Sequence, residues 1–298
     1  MCQVTVVSPL LARVVSAMIK VAPWHAQATM VDIPLSGTSG RFRFHEEALN
    51  LLPSRPAFDE ERAKALVLRG QELGITIPQS VREWYALEDS VNLWGRYTND
   101  DYPVPIDELG DPVDWVNPSR DLVREGLLLI ARENQGVASW AVRLDGTPDP
   151  PVVVEIDSWP DPNWIPCADK FSTFLFCQFW DYCGGPCDLR SNLLLAQVYE
   201  DLKPDVLGSL RRDFEEMPTT FGWPAGTNFR FQAHGGRILI WHDERGTQWH
   251  LAARRKSALV DMLRNLREYG MLKRVPYTYD LATMPILKAI VQELGLSR

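Results

Sequence analysis

The sequence predicts an α+β protein in which helices pack on a mixed, mostly antiparallel sheet, followed by a smaller C-terminal α+β subdomain. Apolar runs rich in Val, Ile, Leu and Trp recur between Leu127 and Asp181, separated by Gly, Asp and Pro, as in a sheet with a buried face. A second group of such runs, with two hairpin turns, lies between Asn228 and Ala252. Apolar residues at helical spacing flank both groups, and 45% of the 298 residues are apolar, enough to bury a core.

Residues 1–57 are predicted to form an N-terminal extension that is largely loop. Ile33-Pro34, Leu52-Pro53 and the Ser-Gly-Thr-Ser-Gly run from Ser36 to Gly40 are typical of loops rather than of regular structure. The sequence contains no run of the roughly 18 uninterrupted apolar residues that a membrane span needs. We therefore expect the folded part to begin near Phe58.

Two helices are predicted at the start of a domain that covers residues 58–190. Asp59 is a suitable N-cap for a helix through Glu72, because its carboxylate can accept hydrogen bonds from the free amides of the first turn. Gly74 favours an end to this helix, and Pro78 favours the start of the next. The residues expected on the buried face of the second helix are Val81, Trp84, Tyr85 and Leu87.

A segment rich in acidic residues, Glu83–Asp114, comes next and is called the acidic segment below. It contains nine aspartates and glutamates, and Arg96 is its only basic residue. Such a run is either a solvated loop face or a contact surface, because Trp and Tyr are frequent interface anchors and complementary charge steers association with a basic partner. The residues predicted to contact a partner are Glu88, Asp89, Trp94, Asp100, Asp101, Asp107 and Glu108.

The best-patterned stretch, Leu127–Asp181, is predicted to be a meander of three strands closed by a helix. The strands are expected in Leu127–Asn134, Val137–Leu144 and Val152–Ile156, and the helix from Phe171 to Tyr182. The stretch contains no histidine, no nucleophile beside a base and no thiol pair at metal-ligand spacing. It is therefore interpreted as a scaffold that holds the preceding loops.

Residues 191–298 are predicted to form the C-terminal strand-hairpin and helix subdomain. Apolar spacing favours helices at both ends, and alternating runs between turn residues favour hairpins in the middle. The predicted elements are a helical region Ser191–Phe214 broken by Pro204, a loop Met217–Thr227, hairpin turns at Gly235-Gly236 and Glu244–Gly246, and helices Ser257–Tyr269 and Leu281–Leu294.

Charge is distributed unevenly along the chain, whose formal net charge is −8. Residues 51–190 contain 12 lysines and arginines against 24 aspartates and glutamates, a net charge of −12, whereas residues 191–298 contain 15 against 12, a net charge of +3. The acidic half should repel nucleic acid and attract a basic protein.

Three histidines, His234, His242 and His250, lie on neighbouring predicted strands. If two of them faced the same side they could bind zinc or act as acid and base, with Asp243 or Glu244 nearby. The sequence has no GxxxxGK[ST] loop, GxGxxG turn, GxSxG elbow or HExxH helix. We therefore expect no enzyme activity, no cofactor and no metal.

The five cysteines are an odd number at irregular spacings, which does not indicate the disulfide framework of a secreted protein. A reduced, cytoplasmic chain fits this pattern better. Cys183 and Cys187 could bind a metal or form a tight disulfide, but no second pair of Cys or His stands near them.

Several short motifs of the 58–190 domain together resemble the SUKH superfamily, which includes the fungal Smi/Knr cell-wall-synthesis regulators and many bacterial immunity proteins. The motifs occur in the order of that family. They are Gln71-Glu-Leu-Gly-Ile-Thr-Ile-Pro78, Trp84-Tyr85, Glu133-Asn-Gln-Gly136, Trp140-Ala-Val-Arg-Leu144, Asp149-Pro-Pro-Val152 and Phe171-Ser-Thr-Phe-Leu175. The sequence departs from the family at Glu88-Asp89, where an Asn-Gly turn is common.

The resemblance implies a helix-and-sheet binding module without catalytic residues. Bacterial members bind and neutralise a cognate toxin, and fungal members act as regulatory scaffolds. We therefore expect an immunity protein whose partner is a toxin domain, with a nuclease as one candidate, and no role for nucleic acid or membrane. Two alternatives stay open at the level of sequence: a regulatory scaffold, and a metal-dependent enzyme that uses the three histidines.

Overall fold

The computed structural model describes residues 42–111, 120–156, 163–233 and 235–296. The described residues confirm the α+β class, since they form eight α-helices and two five-stranded sheets. The sheet was expected to be mixed, but every described strand pair is antiparallel. All of these residues belong to one compact unit.

The chain is already packed before the predicted start of the fold at Phe58. Helix α1 (Glu46–Leu49) places Ala48 and Leu49 in the first hydrophobic core. The side chain of His45 is also buried, and its Nε2 lies 2.7 Å from the carbonyl oxygen of Ser80. Residues 42–57 are therefore part of the folded unit. The rest of the predicted extension, residues 1–41, lies outside the described residues.

Helices α2 (Glu60–Leu73) and α3 (Gln79–Tyr85) confirm the predictions for this region. The carboxylate of Asp59 accepts hydrogen bonds from two first-turn amides of α2 at 2.9 and 3.1 Å. Gly74 ends that helix in the left-handed conformation, with φ of 66°. The side chains that α3 and the residues after it bury are those expected from the sequence: Val81, Trp84, Tyr85 and Leu87.

The first sheet has the strand order β1-β2-β3-β4-β5. Its three central strands, β2 (Leu127–Arg132), β3 (Ala138–Arg143) and β4 (Val152–Ile156), confirm the predicted meander. The two edge strands were not predicted, because they are short and each contains a proline that only an edge position tolerates. They are β1 (Tyr102–Pro103) and β5 (Trp164–Ala168).

Two helices complete the first half. Helix α4 (Ser90–Arg96) lies within the acidic segment, where the sequence suggested a loop. Helix α5 (Phe171–Tyr182) has the predicted bounds and is apolar on almost every side, burying eight of its twelve residues. A helix of this kind must be covered on more than one side. The first sheet covers one side of α5, and a second sheet covers another.

The second sheet has the order β6-β10-β9-β8-β7. The predicted hairpins are confirmed by three of its strands, and two predictions are wrong. The region Ser191–Phe214 begins with a strand, and its helix starts only at Pro204, because a proline in the first turn favours the start of a helix. The predicted loop after Met217 is an edge strand that tolerates Pro218. The elements are β6 (Leu194–Tyr199), α6 (Pro204–Asp213), β7 (Glu215–Phe221), β8 (Thr227–Ala233), β9 (Gly236–Asp243) and β10 (Gly246–Ala253).

One face of the second sheet is covered by helices and forms a separate core. Helices α7 (Lys256–Glu268) and α8 (Thr283–Glu293) agree with the predicted C-terminal helices. They pack with α6 over the apolar side chains Phe231, Ile238, Ile240, Trp249 and Leu251. Within the described ranges, no helix is both long enough and apolar enough to cross a membrane.

The opposite face of the second sheet packs against α5 through a buried ion pair. Arg230 donates two hydrogen bonds to the carboxylate of Asp181, at 2.8 and 2.7 Å. Only 3% and 7% of the two side chains are exposed. The same guanidinium donates to the oxygens of Pro218, Thr220 and Asn228, so all its donor groups point to acceptors. This pair joins the two halves that the sequence suggested as separate domains.

We expect strong energetic coupling between Asp181 and Arg230. Asp181→Leu and Arg230→Met should each lower the free energy of unfolding by about 3–5 kcal/mol, because each leaves an unpaired buried charge. The double variant should be more stable than the sum of the single effects predicts, by about 2 kcal/mol. Urea unfolding of the four proteins measures this coupling.

The exposed pair Asp261–Arg264 is the control for this cycle. Its coupling should be below about 1 kcal/mol, since water screens both charges. Equal coupling for the two pairs would contradict the structural role given to Asp181 and Arg230.

Candidate functional site

The acidic segment is described as far as Asp111, and Asp114 lies outside the described residues. The chain there passes through α4, β1 and a single 3-10 turn, Ile106–Glu108. Arg62 fixes the entry to α4, donating to the carbonyl oxygen of Tyr85 at 2.9 Å and to the hydroxyl of Ser90 at 3.0 Å. The predicted contact residues are therefore carried by ordered elements, and their exposure differs widely.

Trp94 is not a contact residue, contrary to the prediction. Its side chain is fully buried on the inner face of α4. Its ring centre lies 6.3 Å from that of Trp84 and 5.9 Å from that of Phe174. The exposed aromatic residue of the segment is Tyr102 on edge strand β1, which is 62% exposed. Because β1 has only two residues, its alternation of exposed Tyr102 and buried Pro103 is too short to be recognised in the sequence.

Asp101 is also buried, with only 4% of its surface exposed. It lies beside Glu133 and near the backbone amide of Asn134. Burial, and then the charge of Glu133, raise the pKa of Asp101 to about 7. The side chain of Asp101 therefore lies against the turn between β2 and β3 and does not face a partner.

That turn is the Glu133-Asn-Gln-Gly136 motif of the family resemblance, and its role is structural. The buried carboxylate of Glu133 accepts the amide of Gln135 at 2.7 Å. Gly136 has φ of 75°, where a side chain would be strained and would also meet the guanidinium of Arg132. The side chain of Asn134 donates to the carbonyl oxygen of Asn99. The motif thus holds the end of the acidic segment in place.

The other predicted contact residues are exposed and lie at three places along the chain. Glu88 and Asp89 precede the seven-residue helix α4, and Asp100 follows it. Asp107 and Glu108 lie on the 3-10 turn, which packs against α2. The structure therefore does not gather all seven predicted residues into one cluster.

The exposed carboxylates also differ in their partners. Asp100 forms an ion pair with Arg190 at 2.8 Å, so its charge is offset. The neighbouring Asp111 pairs with Arg69, whose Nε also holds the carbonyl oxygen of Leu109 at 2.8 Å. No ion pair within the described part of the chain involves the remaining four residues: Glu88, Asp89, Asp107 and Glu108.

The histidine site is not assembled by the residues that the structure describes. His242 pairs with Thr247 across β9 and β10, and its Nδ1 lies 2.8 Å from the Thr247 hydroxyl. His250 is three residues beyond Thr247, so it projects from the opposite face of the sheet. Burial lowers the pKa of His250 to about 3. His234 lies outside the described residues, which contain no group of three side chains able to hold a metal.

The cysteines of the Cys183–Cys187 motif are free thiols. The Sγ of Cys183 lies 3.1 Å from the carbonyl oxygen of Leu51 and donates a hydrogen bond to it. Burial raises the pKa of Cys183 to about 11, and it raises the pKa of Cys187 as well. Both thiols therefore stay protonated at neutral pH and are poor nucleophiles and metal ligands.

No protein-family model, curated protein or solved structure matches this chain. The resemblance to the SUKH superfamily therefore stays a prediction. The described residues form a buried scaffold that carries two small groups of exposed acids. The histidines and thiols discussed above are buried or hydrogen-bonded wherever the structure describes them.

Asp101→Asn should change the pH dependence of stability. A carboxyl whose pKa is about 3.9 when unfolded and about 7 when folded stabilises the protein at low pH. That contribution is lost as the pH rises from about 4 to about 7. The difference in unfolding free energy, variant minus wild type, should therefore increase by about 3 kcal/mol between pH 4.5 and pH 8, as measured by urea unfolding.

Asp100→Asn is the matched control, because Asp100 is exposed and adjacent. Its difference from wild type should stay within about 1 kcal/mol over the same range. A pH-independent effect of Asp101→Asn would show that the buried carboxyl does not titrate in this window.

Proposed function

We propose that this protein is a non-catalytic binding protein, and specifically a cytoplasmic immunity protein that neutralises a cognate bacterial toxin by direct binding. The observation that carries the proposal is the set of four exposed carboxylates without an ion-pair partner in the described residues: Glu88, Asp89, Asp107 and Glu108. The resemblance to the SUKH superfamily supplies the toxin as the partner class.

The unpaired acids are supported by fixed structure, which favours binding. Glu88 donates its amide to the carbonyl oxygen of Ala57 at 2.9 Å, and Asp89 is the N-cap residue of α4. The 3-10 turn that carries Asp107 and Glu108 is followed by Leu109, whose carbonyl oxygen accepts a hydrogen bond from the side chain of Arg69. Because these acids are carried by backbone that is already fixed, less conformational entropy is lost when a complex forms.

The charge of this half of the chain favours a basic partner. The net charge of −12 in residues 51–190 provides a long-range attraction, and the unpaired acids can form ion pairs at the interface. The surface with which a nuclease binds nucleic acid is basic because it contacts phosphates, so a nuclease toxin would be complementary. Association of such a pair should slow as salt screens the charges.

A regulatory scaffold is the second candidate, and exposed apolar residues on the C-terminal half favour it. Tyr279 and Leu281 are 72% and 80% exposed, and Tyr199 on edge strand β6 is 43% exposed. Such side chains can anchor a second partner. A scaffold would bind several proteins and would give no protection from a toxin, so the neighbouring gene and a growth assay separate the two proposals.

Removing the unpaired charges should weaken toxin binding. The double variants Glu88→Gln/Asp89→Asn and Asp107→Asn/Glu108→Gln remove one group each, and at least one should raise the Kd about tenfold, mainly by slowing association. Surface plasmon resonance against the toxin encoded by the neighbouring gene measures both rates, and growth rescue measures protection.

The control is Asp201→Asn/Glu268→Gln, which removes the same number of exposed acids from the C-terminal half. It should bind like the wild type. Equal losses in all three variants would show a general charge effect and no defined surface. Absence of both binding and growth rescue for the wild type would refute the immunity function.

A further inference from the structure

A polar cavity lies between the end of α5 and the second sheet. Its volume is about 330 Å³. Several of the residues that line it are small and so leave space for the cavity. They include Gly184 after α5, and Gly235 and Gly236 at the β8–β9 turn. Arg237 on β9 and Arg254 after β10 also line it. The cavity is distant in sequence from the acidic segment, and none of the toxin-binding residues contributes to it.

The guanidinium of Arg237 is held in position at the cavity wall. Its Nη1 donates to the carbonyl oxygen of Trp180 at 2.9 Å, and its central carbon lies 5.0 Å from the Trp180 ring centre. One hydrogen bond occupies one of five N–H donors, so the others remain for further acceptors. The backbone position of Arg254 is fixed by the hydrogen bond from its amide to the carbonyl oxygen of Gly235, at 3.1 Å.

No ion pair offsets the positive charge of the two arginines among the described residues, although the charge of Asp181 favours the charged form of Arg237. Neither guanidinium takes part in any of the ion pairs among the described residues, and Asp181, the nearest buried carboxylate, is bound to Arg230. Glu215 also lines the cavity, but it accepts a hydrogen bond from Gln232 at 2.8 Å and forms no ion pair with either arginine. Burial, and then the charge of Arg254, lower the pKa of Arg237.

Helix α7 adds to the positive potential of this region. It begins at Lys256, immediately after Arg254 and Arg255. Its first turn contains no acidic residue, and no side chain caps its free amides. Cations at the positive end of a helix dipole are unfavourable unless an anion is near.

We propose that this cavity binds a small oxyanion, a carboxylate or phosphoryl group whose oxygens are held by the guanidiniums of Arg237 and Arg254. Arginine suits this task, since its planar fork presents parallel donors to two oxygens of one group. The volume accommodates a small metabolite and excludes a folded protein segment. The bound anion would connect the end of α5 to β9 and β10, and would therefore stabilise the folded chain in proportion to its concentration.

Calorimetric titration of the full chain with inorganic phosphate, and separately with acetate, tests the proposal at constant ionic strength set with sodium chloride. The expected result is saturable binding of at least one oxyanion, weakened about tenfold or more by Arg254→Gln. The same anion should raise the melting temperature of the wild type and raise that of the variant less. Binding of phosphate alone identifies a phosphoryl ligand, and binding of acetate alone identifies a carboxylate.

Arg254→Gln is the decisive variant, because Arg254 is exposed and its backbone bond is retained. Arg237→Gln tests the second arginine, with circular dichroism to verify folding, since Arg237 also supports Trp180. Arg264→Gln, which removes an exposed charge of α7 that is paired with Asp261, is the control and should bind like the wild type. Lack of saturable binding of either anion, or equal binding by wild type and Arg254→Gln, would overturn the proposal.

Discussion

The buried ion pair between Asp181 and Arg230 is the interaction on which the arrangement of this protein depends. Moving two charges out of water is costly, and the cost is offset only when the pair has good geometry and every remaining donor is bonded. Here the pair is bidentate, and each of the three guanidinium nitrogens of Arg230 donates to at least one oxygen. The pair therefore fixes one orientation of α5 against the second sheet, whereas apolar packing alone would tolerate several.

A similar use of buried polar groups holds the surface segments of the first half. Glu83 accepts three backbone amides from residues 43–45 and so fixes the chain that enters α1. Glu133 accepts the amide of Gln135 and also the side-chain amide of Asn99 at 3.5 Å, which connects the β2–β3 turn to the end of the acidic segment. Glu83 and Glu133 are both buried and bonded, so each acts on the position of the backbone. The acids that we propose to contact a partner are the exposed ones, which take no part in these buried contacts.

The two proposed sites have opposite charge and lie on different halves of the chain. The acidic surface belongs to the half with net charge −12, and the arginine cavity belongs mainly to the half with +3. The cavity depends on the orientation of α5, since Gly184 after this helix lines it and the carbonyl oxygen of Trp180 accepts a hydrogen bond from Arg237. The acidic surface depends on α2, α4 and the β2–β3 turn. The two proposed binding activities can therefore be tested separately by mutation.

Sequence patterns predict those elements of the protein whose signals are local. The Asp59 cap, Gly74, the central strands β2–β4, helix α5 and the C-terminal hairpins were all predictable, because capping, turn chemistry and apolar periodicity act over a few residues. Long-range contacts determine which of the predicted contact residues are exposed: Trp94 is buried against Phe174, and Asp101 is buried beside Glu133, which are both distant in sequence. They also place His242 and His250 on opposite faces and bring Arg237 and Arg254 to the wall of one cavity, since strand register and helix docking are long-range properties.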